Sequence, residues 1–189
     1  MRIIGGNAKG TILEAPAGRN TRPTLGRVRE SIFNVLANVG LVETKVLDIF
    51  AGTGAMGLEA LSRGADSAVF IDKATGRIIR ANAKKCHVED KISVITRDVN
   101  SSLKSLQGEQ FDYIFMDPPY RKGYINEILS TIISCGLPAE NSIIVAEHSI
   151  SEPPDVSLFE GTLAIWKEKK VGAIVVTYLL CRRTEGEVQ

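Results

Sequence analysis

The stretch Val46-Leu47-Asp48-Ile49-Phe50-Ala51-Gly52-Thr53-Gly54-Ala55-Met56-Gly57 constrains the fold more than any other part of the 189 residues. A short apolar run enters a glycine-rich turn and leaves as a helical pattern over 55–63, closed by Gly64. Glycines at such a junction let the backbone turn tightly and approach a neighbour or a ligand closely. The unit then recurs. Ser67–Ile71 ends in Asp72 and precedes a helix over Thr75–Cys86, and Ile92–Thr96 ends near Asp98 and a short polar segment. Phe111–Met116 ends in Asp117 and precedes a helix over Tyr124–Cys135, and Ser142–Ala146 is a fifth strand. Thr162–Lys167 and Ala173–Leu180, joined by 168–172, read as a closing hairpin. Near-continuous apolar strands alternating with helices need cover on both faces, which a mostly parallel sheet provides. The predicted architecture is therefore α/β: a Rossmann-like, doubly wound, mostly parallel seven-stranded sheet with a C-terminal antiparallel hairpin.

Upstream of this body, residues 1–26 are rich in Gly, Pro, Thr and Arg and read as a β-rich extension of short strands and loops. Val28, Ile32, Val35, Leu36 and Val39 recur at helical spacing, which predicts an amphipathic helix over Arg27–Val39. Residues 1–40 then form a basic appendage on a domain spanning 41–189. Net charge is only +1, yet residues 1–29 hold six basic side chains against Glu14 and sum to +5, leaving −4 for the rest. A basic leader on a mildly acidic body suits an anionic partner held by one end of the molecule. With 44% apolar residues the chain can bury a core, and it has no apolar run long enough to span a bilayer. The start lacks a secretory signal, and Cys86, Cys135 and Cys181 are too few and too scattered for a disulfide framework or a metal site. These features predict reduced thiols in a cytoplasmic protein without metal.

Gly52, Gly54 and Gly57 match the G-x-G-x-x-G pattern, with Asp72 about 20 residues beyond it. The glycine loop, including Thr53, can lie against a nucleotide, and Asp72 can receive two ribose hydroxyls. Neither feature separates NAD from S-adenosylmethionine, since both carry an adenosine ribose. Two neighbours favour the second. Asp48 puts a carboxylate just before the loop, which suits an ammonium and a sulfonium and repels a pyrophosphate. Asp98 can accept from an adenine amino group. Asp48 sits inside the first strand, and the glycine loop, Asp72 and Asp98 fall at strand ends, where open α/β sheets bind their ligands.

Asp117-Pro118-Pro119-Tyr120 directly follows the fourth strand. Two prolines stiffen the turn and remove two N–H donors, so it presents a carboxylate, a carbonyl and an aromatic ring. An exocyclic amine on a base is a poor nucleophile because its lone pair is delocalised into the ring. Acceptors from Asp117 and the Pro118 carbonyl favour the pyramidal amine, and the Tyr120 ring offers a stacking face. Arg19, Arg22, Arg27 and Arg29, with Arg121 and Lys122 after the motif, are candidates to grip phosphates.

The pairing of Val46–Gly54 with Asp117–Tyr120 resembles class I amino-methyltransferases. Arg2-Ile3-Ile4-Gly5-Gly6 and the stretch from Thr21-Arg22-Pro23-Thr24 to Asn34 are more specific, and resemble the RsmD-like family of bacterial 16S ribosomal RNA guanine-N2 methyltransferases. The likeness runs from Arg2 to about Tyr178. It implies that Asp48, Gly52, Thr53 and Gly54 hold the methionine end of S-adenosylmethionine, Asp72 the ribose and Asp98 the adenine. It implies that Asp117 to Tyr120 hold the target, guanine 966 of 16S ribosomal RNA in an assembling small subunit, and that the enzyme acts as a monomer. One position departs: Val171 stands before Gly172 in the last hairpin, where an aromatic is expected.

The proline motif serves any exocyclic amine, so adenine-N6 methylation of DNA or RNA is the nearest rival reading. An NAD-dependent oxidoreductase lacks a hydride-relay residue here, and a non-catalytic RNA-binding module would not need Asp117. His87 and His148 read as structural, Trp166 as packing, and Glu147 as either a pocket wall or surface.

Overall fold

The chain-order elements are α1 (Pro23–Leu36), β1 (Lys45–Ile49), α2 (Ala55–Ser62), β2 (Ser67–Ile71), α3 (Gly76–Lys85) and β3 (Ile92–Ile95). They continue with α4 (Val99–Ser105), β4 (Phe111–Met116), α5 (Tyr124–Ser134), β5 (Pro138–Ser149), β6 (Leu163–Val171) and β7 (Ile174–Cys181). The computed structural model describes residues 1–16, 23–119 and 123–182. All seven strands join one sheet of order β3-β2-β1-β4-β5-β7-β6. Five strands run parallel, and the β6–β7 hairpin closes the sheet antiparallel to β5. The chain winds outward from β1 to β3, then returns to place β4 on the other side of β1. That reversal opens a crevice at the carboxyl ends of β1 and β4.

Each face of the sheet buries its own core. Val46, Phe70, Tyr113, Phe115, Val145 and Tyr178 pack under α1, α2 and α3, where Phe33 meets Phe115 with ring centroids 5.7 Å apart. Leu47, Ile71, Ile114, Met116 and Leu179 pack under α4 and α5. Successive residues of one strand thus serve opposite cores, which is why the strands read as apolar throughout. No helix among the described residues is long and apolar enough to cross a membrane.

Four expectations need correction. The described part of the N-terminal segment, residues 1–16, is less β-rich than its composition suggests, with one antiparallel bridge between Arg2 and Ile12. Its backbone bonds instead to α2: the Glu59 carboxylate accepts from Ile4 and Gly5 N–H at 2.8 Å each. The first helix starts at Pro23, four residues early, because proline is pre-set for a first turn, and it stops at Leu36. The polar segment after β3 is helix α4, nucleated by Asp98, whose side chain accepts from Ser101 N–H at 2.9 Å. The lysine-rich stretch read as the hairpin connection pairs fully with β7, leaving a tight turn at 172–173.

Candidate active site

The glycine loop is locked by side chains from three elements. Asp48, 3% exposed within β1, accepts from Gly57 N–H at 2.9 Å and so ties the strand to the first turn of α2. Asp72, just beyond β2, accepts from Gly52 N–H at 2.9 Å through one oxygen and from Ala74 and Thr75 N–H through the other. Buried Asn82 of α3 donates to the Thr53 carbonyl at 2.9 Å. Two glycines are required by geometry. Gly54 has φ +77°, and a Cβ there would already touch Ile79 and Phe70 at 3.3 Å. A Cβ on Gly57 would sit 2.4 Å from the Phe70 ring, so only hydrogen lets α2 lie this close to β2.

Carboxylates crowd the same rim. Ile49 lies beside Met116, and Met116 beside Ala146, which sets exposed Asp117 level with Glu147 one step beyond. Phe115 and Val145 both face the α1 core, so strand alternation carries Asp117 and Glu147 onto that same face with Asp48. Glu147 is 8% exposed, and its buried Oε2 has no hydrogen-bond partner. Burial, then Asp117 and Asp48, push its carboxyl up to about 8. Burial also raises Asp48, to about 7, with Asp72 and Asp117 adding to the shift against the Gly57 hydrogen bond. Asp48 and Glu147, both raised and both facing the Asp117 charge, need a cation nearby to ionise together. The crevice therefore fits a ligand with an ammonium and a sulfonium, and is hostile to the two phosphates of NAD. Pro118 is buried and Pro119 exposed, which pins the turn that carries Asp117.

The remaining candidates divide. Asp98 is exposed beyond β3, and its hydrogen bonds to Ser101 hold its carboxyl below the usual range, so its first duty is to cap α4. Arg29 is a correction. It is 4% exposed, donates to the Arg2 carbonyl at 2.5 Å and lies 3.7 Å from Glu59, so it cannot grip RNA. Its helix turns it into the protein, where Glu59 balances its charge. Arg27 is exposed. Arg19, Arg22, Tyr120, Arg121 and Lys122 lie outside the described residues. His148 is a satisfied core side chain bonded to Thr177 Oγ1 at 2.8 Å, and Trp166 stands edge-on to Tyr178 while 44% exposed. A cleft of about 280 Å³ opens at the opposite ends of β1, β4 and β5. There Asp112 already accepts from Lys45 N–H and Tyr113 donates to the Gly40 carbonyl, so it offers little to a ligand.

Sequence reasoning missed Glu59 and Asn82, and left Glu147 undecided. The signal for Glu59 was present: a lone acid in the apolar helix AMGLEALS, fully buried in the fold.

A family profile described as "Conserved hypothetical protein 95" matches residues 1–180. The Escherichia coli K12 protein called ribosomal RNA small subunit methyltransferase D is 34% identical over 192 residues, covering 99% of this chain and 92% of its own. The Bacillus subtilis protein YlbH is 37% identical over 152 residues, or 78% of this chain and 82% of its own. The solved structure of Escherichia coli yhhF superposes with a TM-score of 0.82 at 32% identity, covering 96% of this chain and 98% of that one.

Proposed function

The chain belongs to the RsmD-like family of ribosomal RNA methyltransferases, described as Conserved hypothetical protein 95, and from that membership we propose that it methylates the exocyclic N2 of guanine 966 in 16S ribosomal RNA, using S-adenosylmethionine. One observation carries the reading: at the sheet's switch point the proline-locked Asp117 faces Asp48 and Glu147, two carboxyls raised by burial and by its charge. When bound, S-adenosylmethionine supplies an electrophilic methyl group on a cationic sulfur.

The chain's own residues do the rest. Asp48 and the Gly52-Thr53-Gly54 backbone hold the methionine end. Asp72 holds the ribose while bracing Gly52, and Asp98 takes the adenine amine with the oxygen its cap leaves over. Asp117 and the Pro118 carbonyl accept the two amine hydrogens, which localises the nitrogen lone pair. Asp117 is also placed to take the proton that the amine sheds. Tyr120 stacks on the base. Arg19, Arg22, Arg27, Arg121 and Lys122 meet phosphates of an assembling small subunit in the cytoplasm, with residues 1–40 as the substrate-binding appendage and the enzyme a monomer.

The test is to offer methyl-labelled S-adenosylmethionine to small ribosomal subunits lacking the modification, then digest the RNA and identify the labelled nucleoside. N2-methylguanosine supports the reading. N6-methyladenosine, or no label, contradicts it.

A further inference from the structure

The mechanism above leaves Glu147 unused, although its position is hard to justify on structural grounds. A carboxyl group more than nine-tenths buried, with one oxygen lacking any partner, costs the fold stability. It sits level with Asp117 on the neighbouring strand and on the same face of the sheet. Together the two acids line the mouth of the crevice with carboxyl oxygens.

Bases with an exocyclic amine differ in the ring atom beside it. Guanine carries N1–H next to its amine, so its edge offers two donors side by side. Adenine and cytosine carry an unprotonated ring nitrogen there, so their edges offer a donor beside an acceptor. We propose that Glu147 is the specificity-determining residue of this site: its carboxylate accepts from guanine N1–H while Asp117 accepts from the adjacent N2 amine. A carboxylate facing adenine N1 or cytosine N3 would set lone pair against lone pair, so the same lining repels those bases. This assignment rests on the reading of the chain as a guanine-N2 methyltransferase, and it explains how a proline motif indifferent to the base is made selective.

The electrostatics agree. Burial and the charges of Asp117 and Asp48 favour neutral Glu147 when the site holds no cation. A cation seated against Asp48, together with an N–H donor at Glu147, both favour the carboxylate. The acceptor is therefore formed when cofactor and the correct base are present together. Tyr178, whose buried hydroxyl is also unpartnered, is the neighbouring group on β7 that feels the Glu147 charge.

The experiment uses small subunits reconstituted with either guanine or 2-aminopurine at the target position. 2-Aminopurine keeps the exocyclic amine but has an acceptor at N1. The wild-type enzyme is expected to prefer guanine by about 10⁴-fold in kcat/KM, the scale at which a site built for a hydrogen bond rejects an analogue lacking it. Glu147→Gln keeps the side chain's size and presents an amide donor to N1, so the preference should collapse or invert. Its affinity for S-adenosylhomocysteine, measured by calorimetry, should fall far less than its activity on guanine. An unchanged guanine preference in Glu147→Gln overturns the assignment, and so does a loss of cofactor affinity that matches the loss of activity. Wild-type enzyme that methylates 2-aminopurine as fast as guanine overturns it with no variant needed. Failure of the wild type to methylate guanine at all removes the parent reading and this one with it, whereas guanine methylation with the same preference in both proteins removes this one alone.

Discussion

Replacing Gly57 by alanine should lower the melting temperature by several degrees and weaken cofactor binding, although alanine is the better helix former. The added Cβ would lie 2.4 Å and 2.7 Å from two Phe70 ring carbons and 3.4 Å from Asp48 Cβ. Carbon–carbon contacts settle at about 3.5–4.0 Å, so the ring must retreat by roughly 1 Å. Phe70 is fully buried, and the Gly54 loop blocks one direction of retreat. Overpacking of this kind costs about 1–3 kcal/mol, against a helix gain of up to about 1 kcal/mol for Gly→Ala. The net loss is about 1–2 kcal/mol, which for a chain of this size is about 2–8 °C in melting temperature. Gly57 N–H also anchors Asp48, so displacing α2 from β1 should weaken S-adenosylhomocysteine binding in calorimetry. Gly26→Ala in α1, where nothing lies within 4 Å, is the control and should gain about 0.5–1 kcal/mol. A Gly57→Ala protein melting at or above the wild-type temperature would refute the packing argument.

Asp48 and Glu147 have folded-state values near 7 and 8 against ordinary values of 3.8 and 4.5, so the folded state holds more protons than the unfolded chain between those limits. Their stabilising contribution is complete below pH ~4 and is lost as pH rises through 7 to 8, on the order of a few kcal/mol. The ligand-free wild type should therefore lose more melting temperature between pH 5.5 and 8.5 than Asp48→Asn/Glu147→Gln, and parallel profiles would contradict the shifts. Glu59→Gln should cost about 3–5 kcal/mol in urea unfolding, because it leaves Arg29 buried without its counter-charge. It should also free residues 1–16 to trypsin, and unchanged cleavage would count against Glu59 as the clamp. Arg27→Glu should weaken binding to small subunits several-fold and leave S-adenosylhomocysteine affinity intact, whereas equal loss of both would place Arg27 in the fold rather than at the RNA.

The β1 loop and the proline turn were legible because their geometry is covalent and local. Glycine and proline limit the backbone wherever they stand, and the strand pattern around them sets which end of the sheet they occupy. Arg29 was misread because charge says nothing about direction. It lies one turn of helix from Phe33 on the core side of α1, and only the fold reveals Glu59 waiting there. Helix α4 was hidden by its polar composition, and its cue was the cap, Asp98 three residues before Ser101. Glu147 stayed ambiguous for a related reason. Alternation assigns it a face of β5, but its meaning comes from Asp117 and Asp48, which arrive on two other strands.

The proposed chemistry requires Asp117 to accept hydrogens from the target amine beside the methyl donor. Its most direct test is single-turnover methyl transfer to unmodified small subunits by wild type and Asp117→Ala, with S-adenosylhomocysteine affinity measured on both. The expected result is a rate loss of about 100-fold or more with cofactor affinity held near the wild-type value. A variant that still methylates at the wild-type rate would contradict this role for Asp117.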